Sequence, residues 1–460
     1  MKSLKFIGNG LSKVVGNLER NASEKNKAIG KTLQNKSRLY FSSLYFRNFR
    51  LFFFGQAISL IGTWMQNVGQ GWLVLTTTNS PFLLGVVGAA QFLPMMLFSL
   101  YAGVIIDRFS KRKILLLTQS ALTITALAFA ILTQLKIITY WEILLLALTM
   151  GIANTFDMPA RQSFYVELVG KKALINAISL NSSIFNFARI LGPAVAGILI
   201  GKLGYAACFY INAASFLPVI YGIYLIKIEE KPRKANLTER VFVDIKGGLK
   251  YIKHSQIILI SVVLLAIVNI FMFNYNIFVP SFVKDVLRMG ATGYGFVMAM
   301  MGLGALFGSL LLAMMSHRGI KPWYVFFTAI GVSISSIVMG PQRSFLSFNI
   351  FMILQGFFMI TYLNSTNILI QVNSEDSVRG RVMSIYTFVL GGLTPFGALY
   401  AGTVSEKLGA GAGFLISGLI SSVAVIFIYT QWYRRISLKK PVEVVSGTII
   451  EAPPMNKLIK

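Results

Sequence analysis

Long apolar stretches follow one another along the chain, separated by short polar connections. Each is about twenty residues long, and a helix of that length spans the roughly 30 Å hydrocarbon core of a bilayer. Strand-length segments with alternating apolar and polar residues are absent, which excludes a membrane β-barrel. The pattern therefore predicts an all-α membrane protein with twelve spanning helices, at 51–75, 82–106, 114–135, 139–158, 174–200, 206–226, 257–281, 293–315, 322–340, 345–370, 381–403 and 411–432.

The basic residues are distributed unevenly between the connections. The chain has 43 Lys and Arg against 16 Asp and Glu, a net charge of +27. If successive spans alternate in direction, the basic clusters fall on the same side as the two termini, so the positive-inside rule predicts cytoplasmic termini in a cell membrane protein. The excess of basic residues is explained by their role in orienting the spans and by contact with anionic lipid. We therefore expect no nucleic-acid partner.

The segment before the first span, residues 1–48, is basic and poor in acidic residues. It has no apolar core of the kind that signal peptides carry. Its composition superficially resembles an organelle transit peptide, but we favour a cytoplasmic tail that lies on the membrane surface.

The chain divides into two parts at its longest interior polar stretch, residues 227–256. Within it, "TERVFVDIKGGLKYIKH" places apolar residues at helical spacing, which predicts an amphipathic helix on the cytoplasmic surface. Residues 197–211 and 402–416 are identical at seven of fifteen aligned positions. A repeat across this division predicts two parallel six-helix halves, an architecture that holds substrate between the halves. We expect the halves at 49–226 and 257–433, followed by a cytoplasmic tail at 434–460.

Polar side chains form a stripe along the first predicted span. Gln56, Ser59, Thr63, Gln66 and Gln70 follow one another at spacings of three and four, and Asn67 flanks them. Such residues in a span face protein or a water-filled cavity rather than lipid. We interpret the stripe as the lining of a substrate cavity, with bonding between helices as the alternative. Other spans contribute further candidates for this cavity: Asn154, Asn269, Asn276, Gln355 and Tyr362.

Arg189 is a permanent cation near the middle of the fifth predicted span. No acidic residue is expected at its depth, so its charge needs another partner. Bonds to carbonyl or amide groups, contact with an anionic or electron-rich substrate, and control of conformation all remain open.

The connection after the second span reads "GVIIDRFSKRK" and resembles the loop motif of the major facilitator superfamily. Ser110 stands where that family usually has glycine. The resemblance implies a conformational gate in which Asp157, at the end of the fourth span, pairs with Lys111 or Arg112 when the cytoplasmic side closes. An alternative role for Asp157 is proton binding. The matching motif residues are Gly103, Asp107, Arg108, Lys111, Arg112 and Lys113.

Several segments are similar to the enterobactin-exporter-like branch of that superfamily, also called transmembrane secretion effectors, which includes macrolide efflux proteins. They are "FRNFRLFFFGQAISLIGTWMQNVGQGWLVL", "FDMPARQSF", "NSSIFNFARILGPAVAG" and "RGRVMSIY". In the third of these, Gly192, Pro193 and Gly197 resemble a fifth-helix motif of exporters, although Ala188 and Ala196 replace glycines. The resemblance implies proton-driven antiport.

We therefore expect a monomeric secondary transporter that works by alternating access and exports a small amphiphilic compound, such as a siderophore, a drug or a metabolite. An importer or a lysolipid flippase of the same fold is the alternative. A polytopic enzyme is less expected, because the two histidines, His254 and His317, lie outside any carboxylate cluster. We expect no cofactor, and the single cysteine, Cys208, allows neither a disulfide nor a metal site.

The charge distribution predicts which connections a membrane-impermeant maleimide reaches from outside the cell. In a Cys208→Ala background, single cysteines at Lys136 and Gln342 should react, whereas cysteines at Ser110 and Ser437 should react only after permeabilisation. The reversed pattern would contradict the predicted orientation.

Overall fold

The computed structural model describes residues 42–227, 238–315, 319–376 and 378–438. A short 3-10 helix, Ser42–Tyr45, precedes the first α-helix. The α-helices are α1 (Arg47–Thr78), α2 (Pro81–Arg108), α3 (Lys111–Gln134), α4 (Tyr140–Lys171), α5 (Ala173–Leu203), α6 (Tyr205–Leu225), α7 (Thr238–His254), α8 (Gln256–Met272), α9 (Tyr275–Asp285), α10 (Ala291–Met315), α11 (Pro322–Met339), α12 (Phe345–Val372), α13 (Arg379–Gly392), α14 (Thr394–Leu408) and α15 (Ala410–Leu438).

Eleven helical segments in the described part of the chain are long and apolar enough to cross a membrane. Two of them consist of consecutive helices, α8 with α9 and α13 with α14. The first predicted span is not among the eleven, although α1 is 32 residues long. Its polar stripe lowers the mean hydropathy, and because most of those side chains are buried within the protein, α1 belongs to the same bundle. The all-helical membrane fold predicted from the pattern is confirmed.

Glycines at positive φ mark the sharpest changes in chain direction. Gly170 separates α4 from α5 at a φ of 67°. Gly204 and Gly409, with φ of 81° and 84°, separate α5 from α6 and α14 from α15. They occupy equivalent positions of the sequence repeat, so both halves make this turn at the same place. Glycine is the residue that adopts such a conformation without steric cost.

Helices α1 to α6 pack together as the N-terminal half, and α8 to α15 as the C-terminal half. Small residues bring the helices of each half close together. A Cβ at Gly55 of α1 would lie 2.9 Å from the carbonyl oxygen of Pro218 in α6. The predicted boundaries of the halves stay a prediction, since residues 228–237 lie outside the described chain.

We call the end of the bundle that carries the α2–α3 connection and α7 the tail face, and the opposite end the far face. Helix α7 occupies the position of the predicted amphipathic helix and packs against α13. A Cβ at Gly248 would lie 2.9 Å from Cδ1 of Ile385. The hydroxyl oxygen of Tyr251 accepts a hydrogen bond from the backbone amide of Glu375 at 3.2 Å. The linker is therefore anchored to the C-terminal half.

The two halves contact each other toward the far face. Gly197 of α5 lies against α10, where its Cβ would be 3.1 Å from the Cα of Gly295, and Trp72 of α1 stacks on Tyr294 at 5.6 Å. Gly85 of α2 lies against α14 in the same way, its Cβ 3.0 Å from the Cα of Gly402.

Toward the tail face, the same side of α5 is uncovered. The side of α5 that packs on α10 through Pro193 and Gly197 continues, at helical spacing, through Phe185 and Ser182. Pro193 and Gly197 are buried, whereas Phe185 and Ser182 are exposed. The cover that α10 gives to this side of α5 therefore decreases toward the tail face.

Candidate functional site: two cavities between the halves

A cavity of about 110 Å³ lies where α1 and α2 of the N-terminal half meet α9 and α14 of the C-terminal half. Its apolar wall includes Phe92 and Phe273. We call it the polar cavity, after the six amide and hydroxyl side chains that line it: Asn67, Gln70, Gln91, Asn274, Asn276 and Thr394.

Gln70 is one of the buried amides that line the polar cavity. Its side chain is buried, and its Oε1 has no hydrogen-bond partner in the described residues. Asn274, across the cavity, donates from Nδ2 to the carbonyl oxygen of Ile270 at 2.6 Å. An unpartnered buried amide oxygen costs about 1–3 kcal/mol, which a donor group on a ligand can recover.

The structure brings together three residues that the sequence predicted for this cavity, Asn67, Gln70 and Asn276. Our sequence interpretation missed Gln91, Asn274 and Thr394. Gln91 had a recognisable signal, because it is a lone amide in an otherwise apolar stretch of the second predicted span. Asn274 and Thr394 lie at breaks, between α8 and α9 and at the start of α14, which periodicity alone does not locate.

A second, smaller cavity of about 20 Å³ adjoins Arg189. We call it the arginine cavity. The guanidinium donates from Nη2 to Oδ1 of Asn186 at 2.8 Å and lies 6.0 Å from the ring centroid of Phe185. Its Nε is buried and has no hydrogen-bond partner in the described residues. The lining draws on both halves and includes Trp64, Tyr275, Met298, Met301 and Met359.

The polar stripe of α1 does not face a single cavity. Gln66 lies inside the N-terminal half, where its Oε1 accepts a hydrogen bond from Nδ2 of Asn212 at 2.5 Å and its Nε2 lies 3.1 Å from Sδ of Met150. Gln56 and Ser59 are also buried, and Thr63 donates to the carbonyl oxygen of Ser59 at 2.9 Å. For Gln66, the alternative of bonding between helices is what the structure shows.

The same holds for two of the candidates on other spans, Gln355 and Asn269. Gln355 accepts a hydrogen bond from Oγ of Ser335 at 2.6 Å, and Asn269 donates to the carbonyl oxygen of Leu390 at 2.6 Å, both within the C-terminal half. Tyr362 is fully buried in the core of that half. Asn154 is exposed on α4 and lies outside both cavities.

Asp157 does not make the expected pair with Lys111 or Arg112. Its carboxylate is buried and forms an ion pair with Arg161, one turn further along α4. It also accepts hydrogen bonds from Oγ1 of Thr118 at 2.9 Å and Nε2 of Gln119 at 2.7 Å. In this conformation α3 and α4 satisfy the charge without the loop motif.

The cations of the loop motif bind other groups. Lys111 forms an ion pair with Glu167 at 2.7 Å. Arg112 donates to the last carbonyl oxygens of α6, from Nε to Ile223 at 2.9 Å and from Nη2 to Tyr224 at 2.7 Å. These bonds tie α3 to the end of α6, where a cation is favoured by the helix dipole.

Two further cations of the motif, Arg108 and Lys113, are exposed. The side chain of Asp107 lies outside the described residues. A Cβ at Gly103 would meet no atom within 4 Å.

The fifth-helix motif lies at a junction of three helices. A Cβ at Gly192 would lie 2.9 Å from the carbonyl oxygen of Ile61 in α1, and one at Gly197 would lie 3.1 Å from that of Ala291 in α10. Helix α5 continues through Pro193, and the break in the α4–α5 segment is at Gly170 instead. The small residues therefore hold α5 against both halves.

Two charged side chains of the C-terminal half bind the α1–α2 turn at the far face. Lys284 donates from Nζ to the carbonyl oxygen of Leu75 at 3.1 Å and to Oδ1 of Asn79 at 2.6 Å, at the end of α1. Glu406 accepts from Oγ of Ser80 at 2.9 Å and from the backbone amide of Phe82 at 3.2 Å, at the start of α2. Each charge lies at the helix end whose dipole favours it. We call these contacts the far-face clamp.

The sequence profile of the transmembrane secretion effectors, a family of the major facilitator superfamily, matches residues 40–455. The chain belongs to this family. The resemblance inferred from the motifs is thus confirmed, and the protein is a multi-pass membrane transporter.

Relatives and solved structures agree with this assignment. The chain is 25% identical to the staphyloferrin A transporter of Staphylococcus aureus, over 85% of this chain and 97% of that protein. It is 25% identical to the multidrug efflux pump Tap of Mycolicibacterium fortuitum, over 82% of this chain and 94% of that protein. The crystal structure of the nucleoside transporter NupG superposes with a TM-score of 0.65 at 15% identity, over 84% of this chain and 98% of that one. This last likeness supports the fold alone.

The two glutamines one turn apart on α1 should respond differently to the same substitution. Gln66→Leu leaves the amide of Asn212 without its partner and should destabilise the protein by about 1 kcal/mol. Gln70→Leu removes an oxygen that has no partner, so its melting temperature should equal or exceed that of the wild type. Thermal unfolding in detergent measures both, and equal destabilisation by the two variants would contradict the distinction.

Proposed function

We propose that this transporter exports a small amphiphilic compound by alternating access, driven by proton antiport. The observation that carries the proposal is that residues of both halves line the two cavities, while small residues and the far-face clamp join the halves toward the far face. A binding site at the junction of two packed halves is the arrangement that alternating access requires.

We propose that the tail face is cytoplasmic. The basic connections support this orientation, since Lys111 and Arg112 lie on the tail face. The three lysines of α7 lie there as well: Lys246, Lys250 and Lys253. The described conformation is then the one that loads substrate from the cytoplasm.

For the outward step, the far-face clamp has to open and the tail face has to close. Lys284 and Glu406 bind helix ends rather than opposite charges, and such contacts are worth about 0.3–1 kcal/mol each, so they break and form readily. On the tail face we propose a gate formed by Gly103, Asp107, Arg108, Lys111 and Arg112 with Asp157, in which Asp157 exchanges Arg161 for a cation of the loop motif.

The cavities suit a cargo with both polar and apolar parts. Amides line the polar cavity, and methionines and aromatic rings line the arginine cavity. Flexible thioethers adapt to apolar groups of different shape. By their names, two relatives of the chain transport staphyloferrin A and several drugs.

Proton coupling is proposed from the family resemblance. Among the acidic side chains that the structure describes, Asp157 is the buried one, and it lies away from both cavities. A proton that binds to Asp157 would act on the gate rather than on the substrate. Proton binding and gating would then both depend on whether Asp157 pairs with Arg161 or with a cation of the loop motif.

A lipid-like cargo is the second candidate, favoured by a groove of about 640 Å³ on the outer surface of the bundle. Its lining is apolar and comes from α2, α4 and α14, including Leu93, Trp141 and Phe396. A lysolipid flippase would use such a groove for an acyl chain, with the polar cavity behind α2 for the headgroup.

Transport in inverted membrane vesicles tests the proposal. With an acidic lumen, wild-type vesicles should accumulate fluorescent amphiphiles such as fluorescein or rhodamine 123, and an uncoupler should abolish the accumulation. Gly197→Leu is the inactive control, because its side chain cannot fit against Ala291 and Gly295 in the closed far face. Loss of preloaded dye from the vesicles would indicate an importer, and transport of a fluorescent lysolipid alone would indicate a flippase.

A further inference from the structure

Arg189 is a cation for which the described residues supply no anionic partner. Its guanidinium has one described hydrogen-bond partner, the neutral amide of Asn186, and none of the described ion pairs includes it. The Nε–H donor is buried and unpartnered. A buried guanidinium in a span is costly unless it is paired or hydrated, so an unpaired one at this depth requires a functional reason.

The acidic side chains described by the structure are engaged or remote. Asp157 is paired with Arg161, and Glu167 with Lys111, both toward the tail face. Glu406 binds the start of α2 at the far face. The residues that line the arginine cavity and the polar cavity include no carboxylate. The residues that line the two cavities therefore carry a net positive charge, which comes from Arg189.

The position of Arg189 places this charge in the path of a cargo. Its carbonyl oxygen faces α10, where a Cβ at Gly302 would lie only 2.9 Å away. Toward the tail face from this contact, Phe185 and Ser182 of α5 are exposed. A molecule that enters from the tail face reaches the guanidinium before it reaches the closed contacts between the halves.

We propose that Arg189 binds the carboxylate, or an equivalent oxyanion, of an organic anion whose apolar or aromatic body packs among Trp64, Met298 and Met359. The cargo of this transporter is then an anionic amphiphile rather than a cationic one. This inference rests on the proposed transport function and names the substrate class of the same site.

The chemistry of the guanidinium supports this choice. Its planar donors match the oxygens of a carboxylate, and charge-assisted bonds of this type are roughly twice as strong as neutral ones. The cavity of about 20 Å³ holds no more than a water-sized group in this conformation, so an oxyanion has to displace neighbouring side chains. The methionines of the lining are flexible enough to move.

A pair of dyes with the same ring system and opposite charge tests the proposal. Fluorescein is anionic at pH 8 and rhodamine 123 is cationic. Fluorescence anisotropy with the purified full-length protein should give an affinity for fluorescein at least tenfold higher than for rhodamine 123. Arg189→Gln should lower the affinity for fluorescein about tenfold or more, as expected for the loss of a charge-assisted pair, and leave rhodamine 123 unchanged.

Two further variants separate binding from folding. Arg343→Gln removes an arginine that is exposed at the far face, and it should bind both dyes like the wild type. Arg189→Lys keeps the positive charge but loses the planar fork, so its affinity for fluorescein should fall between those of the wild type and Arg189→Gln. Melting temperatures identify folded samples, and if Arg189→Gln does not fold, Arg189→Lys gives the decisive comparison.

Three results would overturn the assignment. The first is tighter binding of rhodamine 123 than of fluorescein by the wild type. The second is an unchanged ratio of the two affinities in both Arg189 variants. The third is stabilisation by sodium chloride that Arg189→Gln abolishes while fluorescein binding persists, because Arg189 would then hold an inorganic anion. In all three cases, dye accumulation in inverted vesicles would still report the proposed transport function.

Discussion

A membrane interior offers no water to polar groups, so each of them needs a partner from the protein or a place in a water-filled space. This constraint sorts the polar side chains of the spans into two sets. One set is satisfied inside a half, as Gln66 is by Asn212 and Gln355 by Ser335. The other set, which includes Gln70 and Arg189, lines the cavities between the halves and has atoms there without a described partner. Some residues inside a half, such as Asn269 and Asn349, also have a buried oxygen without a described partner, so it is the cavity beside Gln70 and Arg189 that distinguishes them. The second set marks where a cargo can be bound.

The same constraint shapes the contacts between the halves. Within a half, amides and hydroxyls bond across helices and fix the packing. Between the halves, the contacts are close approaches of small residues and the far-face clamp, in which Lys284 and Glu406 bind the ends of α1 and α2. We propose that the two halves exchange between arrangements by breaking and re-forming these contacts.

Hydropathy and charge were sufficient to predict the helical fold, and the motif residues to predict the family. The amphipathic α7 and the placement of Asn67, Gln70 and Asn276 also followed from residue type and spacing. The bonding partners of Gln66 could not be predicted from the sequence. A polar stripe shows that one side of a helix avoids lipid, but it does not show which neighbouring helix covers that side. The ion pair of Asp157 with Arg161 could not be predicted either, since the resemblance implied a different pairing, with Lys111 or Arg112.

We propose that the transporter alternates between two conformations and that the far-face clamp stabilises the described one. Spin labels at Lys136 and Arg343 report the distance between the halves at the far face, and labels at Ser110 and Val372 report it at the tail face. Pulsed electron resonance would compare the wild type with the double variant Lys284→Gln, Glu406→Gln in proteoliposomes. We predict that the variant lengthens the far-face distance and shortens the tail-face distance in the same fraction of molecules. Unchanged distances, or far-face opening without tail-face closure, would contradict alternating access controlled by this clamp.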